Sequence, residues 1–161
     1  MDYATIVRLI ADGAVLPVVL LGVVALVVLV PNQQKLAIYG RILVAGLTAY
    51  LVAKLMATLY QPAGMRPFEL ANVQPGAAYL NNPGFPSDHM LFVMAITYAV
   101  WYGTRRKWLV VTCLLLAILV GVGRVLALVH TPLDILGGVF AASVGALWYL
   151  EVKNNKIYLQ K

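Results

Sequence analysis

The residues able to do chemistry in this chain fall in two short stretches. One runs Gly123-Arg124, five residues, His130, three residues, Asp134; the other is Pro86-Ser87-Asp88-His89. Together they hold both histidines of the 161-residue sequence, and each lies where a polar loop enters an apolar segment. An arginine, two histidines and an aspartate at one surface suit the transfer of a phosphoryl group through a histidine. Thr131 is a good N-cap, Pro132 falls at the first helical position and Asp134 at the third. Thr131-x-x-Asp134 is thus a capping box, which alone would be a helix start and nothing more. His130, just before the cap, is nevertheless close to Asp134. A carboxylate there can accept a bond from one imidazole nitrogen, fix the tautomer and leave the other nitrogen free to attack. Arg124 is either an interfacial arginine reaching for water or a planar fork for phosphate oxygens.

In the second stretch Ser87 is an N-cap, and Asp88 falls in the first turn, where the helix dipole favours it. A plain helix start explains both. A helix N-terminus also receives anions, and His89 beside it could, as an imidazolium, protonate a leaving oxygen. Arg66-Pro67 is, taken alone, a polar loop with a proline turn. Lys54 lies inside an apolar segment, roughly 9 Å below its outer end at about 1.5 Å per residue, where an ionisable group is either functional or snorkelling.

The elements that must position these residues follow from composition. Hydrophobic residues make up 62% of the chain and charged residues 11%, too apolar for a water-exposed surface. The expected fold is all-α and membrane-integral, a compact bundle of about five transmembrane helices near 14–30, 36–60, 87–103, 108–128 and 132–150, the third being the shortest. Residues 3–12 place Tyr3, Ile6, Val7 and Ile10 on one face, which predicts a short interfacial helix or an extension of the first span, broken near Gly13 and Pro17. The start, Met1-Asp2-Tyr3, lacks the basic region of a secretory signal, so the first apolar segment is expected to be retained. One domain, 1–161, is expected. Its long connection, 61–86, holds Pro62, Pro67, Pro75, Pro83 and Pro86, and a loop of this size is usually functional or a lid. Cys113, alone in an apolar run, excludes an internal disulfide and a cysteine-based metal site.

Five spans put the termini on opposite sides. One side receives Lys35, Arg41, Arg105, Arg106, Lys107, Lys153, Lys156 and Lys161 against Glu151 alone; the other receives Arg8, Lys54, Arg66 and Arg124 against Asp2, Asp12, Glu69, Asp88 and Asp134. The basic side should be cytoplasmic. The N-terminus, the long loop and both histidine stretches are then expected outside, and the C-terminus in the cytoplasm of a multi-pass cell-membrane protein. Trp101, Tyr102, Trp108, Trp148 and Tyr149 fit an aromatic belt at the cytoplasmic boundary. Gly121, Gly123, Gly137, Gly138 and Gly145 fit close helix packing.

Arg66-Pro67, Pro86-Ser87-x-His89 and Arg124-x5-His130-x3-Asp134 resemble, in sequence, order and placement, the three signature motifs of the type 2 phosphatidic acid phosphatase superfamily. The resemblance covers about residues 54–140. It implies that His130 is the nucleophile forming a phosphohistidine, Asp134 its orienting partner and His89 the acid for the leaving group. Arg66, Arg124 and Ser87 would cradle the phosphate, with no metal or other cofactor required. Three positions depart from the pattern. Leu59 stands where the family has a lysine, leaving Lys54 as the nearby cation. Gly123 replaces a serine, and Asp88 replaces a glycine beside the anion site, where it could point away, orient His89 or bind a cation with the substrate. Pro-Ser-Asp-His and Phe68 after Arg66-Pro67 resemble the undecaprenyl-diphosphate phosphatase branch.

The resemblance implies a lipid phosphatase whose substrate is a polyprenyl diphosphate. Phosphatidylglycerol phosphate, phosphatidic acid and lipid A are alternatives, and a phosphotransferase is a variant of the same chemistry. Vanadium haloperoxidases share the pocket but are soluble, against five spans. A non-catalytic lipid-binding membrane protein is the alternative of another class. The expected partners are the lipid phosphate and the bilayer, not nucleic acid.

Overall fold

The Asp2 side chain accepts a hydrogen bond from the Thr5 N–H at 3.0 Å and opens helix α1, Tyr3–Arg8. In this computed structural model, which describes residues 2–60, 66–82 and 84–150, α1 does not end in a loop. It widens into a π turn over Leu9–Gly13 and runs on as α2, Val15–Leu29. Pro17 supplies the reason: it has no N–H for the Gly13 carbonyl, and its ring would strike that carbonyl in a regular helix. Of the two expectations for residues 3–12, the extension of the first span is what forms.

Val30 precedes Pro31 and is extended (ψ 124°), as a residue before proline must be, and this ends α2. A 3-10 turn at Asn32–Gln34 leads into α3, Lys35–Leu59. Then follow the short α4, Pro67–Leu70; α5, Asp88–Thr104; α6, Lys107–Leu126; and α7, Pro132–Ala146, which closes with a 3-10 turn at Leu147–Tyr149. The expected 61–65 part of the long loop, Pro83 and the basic C-terminal residues lie outside the described residues.

Four stretches are long and apolar enough to cross a membrane: Tyr3–Leu29, Asn32–Leu59, Lys107–Leu126 and Pro132–Tyr149. The remaining long helix, α5, has 17 residues and occupies the centre, packed against α2, α3, α6 and α7. Phe92 and Trp101 reach its exposed side, while the rest of its residues are buried or half-buried among those neighbours. The chain is thus a multi-pass membrane protein whose lateral surface carries exposed leucines and valines, while the core joins Val18, Met90, Val93, Val120 and Ala141.

Small residues set how closely α7 approaches α5. A Cβ on Gly138 would lie 2.6 Å from the Ser87 carbonyl oxygen and 2.9 Å from the Leu91 nitrogen. Any side chain there would push the start of α7 off the start of α5, and those two starts carry the histidine stretches. At the opposite end of the bundle Tyr102 stacks on Tyr149 at 4.5 Å, and Arg41 and Arg105 lie against the Tyr102 ring.

The loop between α3 and α5 is pinned to the α6–α7 connection. The Phe68 N–H donates to the Leu128 carbonyl and the Gly76 N–H to the Ala127 carbonyl, both at 3.0 Å. Phe68 and Ala77 are buried with Val7, Ala11, Ala127 and Val129. α1, the loop and the third motif therefore share one small apolar core at the site end of the bundle.

Candidate active site

The third motif straddles the end of α6 and the start of α7. The expected capping box is present: the Asp134 N–H donates to Thr131 Oγ1 at 3.2 Å, and the Thr131 N–H donates to Asp134 Oδ2 at 2.7 Å. The same Oδ2 stands 3.5 Å from His130 Nδ1, an ion-pair separation longer than a formed hydrogen bond. Helix start and histidine partner are one carboxylate oxygen, so the cap fixes the carboxylate that faces the imidazole. His130 and Asp134 are both buried.

The second motif meets the third through the backbone. Ser87 is the N-cap of α5, its Oγ accepting from the Met90 N–H at 3.4 Å, and its own N–H donates to the Asp134 carbonyl at 2.9 Å. The Phe85–Pro86 peptide is cis. His89 is half-buried, close enough to Arg124, His130 and Asp12 for their charges to act on it. The two histidine stretches, 41 residues apart in sequence at His89 and His130, thus meet at one end of the bundle.

The two arginines differ in what holds them. The Arg66 guanidinium clamps the loop: Nη1 donates to the Val129 carbonyl at 2.6 Å, and Nη2 to the Leu80 carbonyl at 2.9 Å, the Asn82 carbonyl at 3.1 Å and Asn82 Oδ1 at 2.7 Å. It also lies 5.1 Å over the Tyr79 ring. Burial pulls this guanidinium below its usual range, while Asp134 and Glu69 hold it up. Arg124, at 1% exposure, has a single acceptor instead: Nη1 donates to Asp12 Oδ1 at 2.8 Å. Its Nε has no hydrogen-bond partner. Among the described residues, that Nε and His130 Nδ1 are the two buried side-chain polar atoms left without one. Buried polar groups are otherwise satisfied, so two exceptions in one place mark a site.

The remaining candidates sit at its edge. Lys54 Nζ lies 3.9 Å from Asp88 Oδ1, and Asn82 Nδ2 donates to Asp88 Oδ2 at 3.4 Å. Lys54, Asp88, Asn82 and Arg66 therefore form a chain from α3 to the loop. Leu59, where the resemblance implies a lysine, ends α3 and is 78% exposed.

Sequence reasoning missed Asp12 and Asn82. Asp12 entered only the count of charges on the outer side. An acidic residue inside a hydrophobic stretch that contains a proline was the available signal, since π turns recur at functional sites.

Burial pushes the His130 imidazole below the usual histidine range; Asp134 pulls it back up, and Arg124 and Arg66 push it down again. His130 is then neutral at neutral pH, with one nitrogen turned to a carboxylate. Beside it stand a fixed guanidinium with an unused donor and a second histidine. That set can bind an anion and form a bond to it.

A membrane bundle whose described residues are helical, with a buried arginine–histidine cluster at one end, is the class that fold and geometry define. The PAP2 superfamily matches residues 35–158, and the chain belongs to it. It is 38% identical over 65 residues to the protein of Escherichia coli (strain K12) named "Putative undecaprenyl-diphosphatase YbjG", covering 39% of this chain and 31% of that one. It is 29% identical over 119 residues to "Bacitracin transport permease protein BcrC" of Bacillus licheniformis, covering 73% of this chain and 55% of that one. The matches thus span about a third and about half of these relatives' lengths. No solved structure matches the chain.

Proposed function

We propose that this protein is a lipid phosphatase that hydrolyses a polyprenyl diphosphate to the monophosphate through a phosphohistidine. The observation that carries the reading is the pair of unpartnered buried atoms, Arg124 Nε and His130 Nδ1, beside Asp134. The family match and the name of the E. coli relative support the substrate class.

In this reading Arg124, with Arg66 behind it, holds the terminal phosphate. Asp134 Oδ2 faces His130 Nδ1 at 3.5 Å and would take its N–H as the imidazole gains positive charge, so Nε2 is the attacking atom. Nε2 forms a bond to the terminal phosphorus, and the bond from that phosphorus to the bridging oxygen breaks. The lipid monophosphate leaves with a proton from His89. Water then attacks the phosphohistidine phosphorus and gives a proton to His89, the P–N bond breaks, and orthophosphate departs. Charge stabilisation by fixed guanidinium groups is the main catalytic device. The charge asymmetry of the spans supports an extracytoplasmic site, with the N-terminus outside.

Phosphate release by purified protein across undecaprenyl diphosphate, phosphatidylglycerol phosphate, phosphatidic acid and lipid A phosphates tests this. Preference for the diphosphate by kcat/KM is expected, and preference for a monoester overturns the substrate assignment. Addition of acceptor lipids that captures phosphate otherwise released would identify a transferase.

Two further outcomes follow from the geometry. The acid limb of the kcat/KM profile falls below the ordinary histidine value of about 6.5, because the nucleophile must be neutral and burial keeps it so. Asp134 raises the His130 pKa, so Asp134→Asn moves that limb further to the acid side. The same depressed value means that stability is unaffected by this group above about pH 6.5, where both states are neutral. Stability is lost as pH falls below that, where only the unfolded chain takes the proton. Lys54→Ala, by contrast, changes kcat/KM less than about fivefold, since its 3.9 Å contact to Asp88 is half-exposed; a larger fall places Lys54 on the substrate.

A further inference from the structure

Asp12 has both carboxylate oxygens occupied. Oδ1 accepts from Arg124 Nη1 at 2.8 Å, and Oδ2 accepts from the Ala78 N–H of the loop at 3.0 Å. Engaging Nη1 in this way leaves the other edge of the guanidinium, Nε with Nη2, as a side-on fork of the kind that takes two phosphate oxygens. Nε is the buried donor without a partner.

The backbone explains how a residue 112 positions away reaches Arg124. The π turn at Leu9–Gly13 rests directly on α6 at Gly123. A Cβ on Gly123 would lie 2.7 Å from the Ala11 nitrogen and 2.8 Å from the Ala11 Cα. The family's serine at that position and this N-terminal turn exclude each other. Gly123 is therefore no simple loss of a hydroxyl: it admits the turn that carries Asp12. That turn precedes residues 35–158, the part that matches the family.

We propose that Asp12 is a positioning residue of this site, which holds the Arg124 guanidinium with its Nε edge toward the phosphate and ties that arginine to the outer loop through Ala78. The proposal rests on Arg124 being a phosphate ligand.

A double-mutant cycle on the full chain in detergent tests it, with undecaprenyl diphosphate as the probe. Asp12→Ala is expected to lower kcat/KM about 10–100-fold in the wild-type background, and less than about twofold in an Arg124→Ala background. Asp12→Asn keeps one acceptor oxygen for Arg124 Nη1 but turns an amide NH2 toward the Ala78 N–H, so it recovers part of the loss. Equal losses in the two backgrounds, or no recovery with asparagine, overturn the positioning role. If Arg124→Ala lowers phosphate release but Asp12→Ala does not, only this proposal fails. If Arg124→Ala has no effect, the phosphate reading of Arg124 fails and takes the proposal with it.

Hydrogen exchange at the Ala78 amide needs no activity. It is expected to quicken in Asp12→Ala and in Gly123→Ser, whose side chain displaces the turn. Unchanged exchange in both overturns the tie to the loop.

Discussion

His130→Ala is expected to abolish phosphate release, lowering kcat by at least about 10⁴-fold, because it would remove the atom proposed to bond to phosphorus. The fold survives the change better than the chemistry does. His130 is buried, but its Nδ1 stands 3.5 Å from Asp134 Oδ2 with no hydrogen bond formed, and the Asp134 cap on Thr131 remains without it. The loss should therefore appear in protein that melts close to the wild-type temperature. A labelled phosphoryl group retained on wild-type protein after an alkaline quench, and absent from His130→Ala, identifies the intermediate. Release that persists in the alanine variant sinks the nucleophile assignment.

Arg124→Ala is the second large effect. Loss of one preorganised donor to a developing anion lowers kcat/KM by about 10²–10³-fold. It also strands the Asp12 carboxylate. A fully buried pair broken this way costs about 3–5 kcal/mol. Asp12 remains 28% exposed, so about 1–3 kcal/mol is expected, read as a lower melting temperature in detergent. Arg124→Lys keeps the charge but not the two-pronged fork, and it should restore stability more than activity. Full activity in the lysine variant would show that charge alone suffices at this position.

Local chemistry was legible in the sequence, and long-range pairing was not. Thr131, Pro132 and Asp134 announce a helix start through spacing alone, and the structure builds that cap as expected. Ser87 does the same for α5. The histidine stretches could be placed at one end of the bundle because span order and charge asymmetry constrain which ends face together. Nothing in the periodicity of residues 3–12 indicated that Asp12 meets Arg124, since that contact depends on how a π turn seats against α6. Nor did Arg66 reveal that it clamps Val129, Leu80 and Asn82. A dipeptide in a loop says little about the carbonyls that will surround it, and those carbonyls come from two other parts of the chain. Lys54 was visible as a cation in an apolar helix, but its partner Asp88 was not.

The 17 residues of α5 rise about 25 Å, whereas the 25 of α3 rise about 38 Å. A hydrocarbon layer is about 30 Å thick, so α3 fits it by tilting, whereas α5 falls short of it. Asp88 at the start of α5 meets Lys54, five residues before α3 ends at Leu59, so the start of α5 lies about 8 Å below the end of α3. A lipid headgroup must dip, or the membrane must thin around the protein, before its phosphorus reaches the histidines. If this site releases phosphate as proposed, bilayer thickness should bear on turnover: phosphate release in phosphatidylcholine vesicles is expected to decline as the acyl chains lengthen, at constant protein and substrate density.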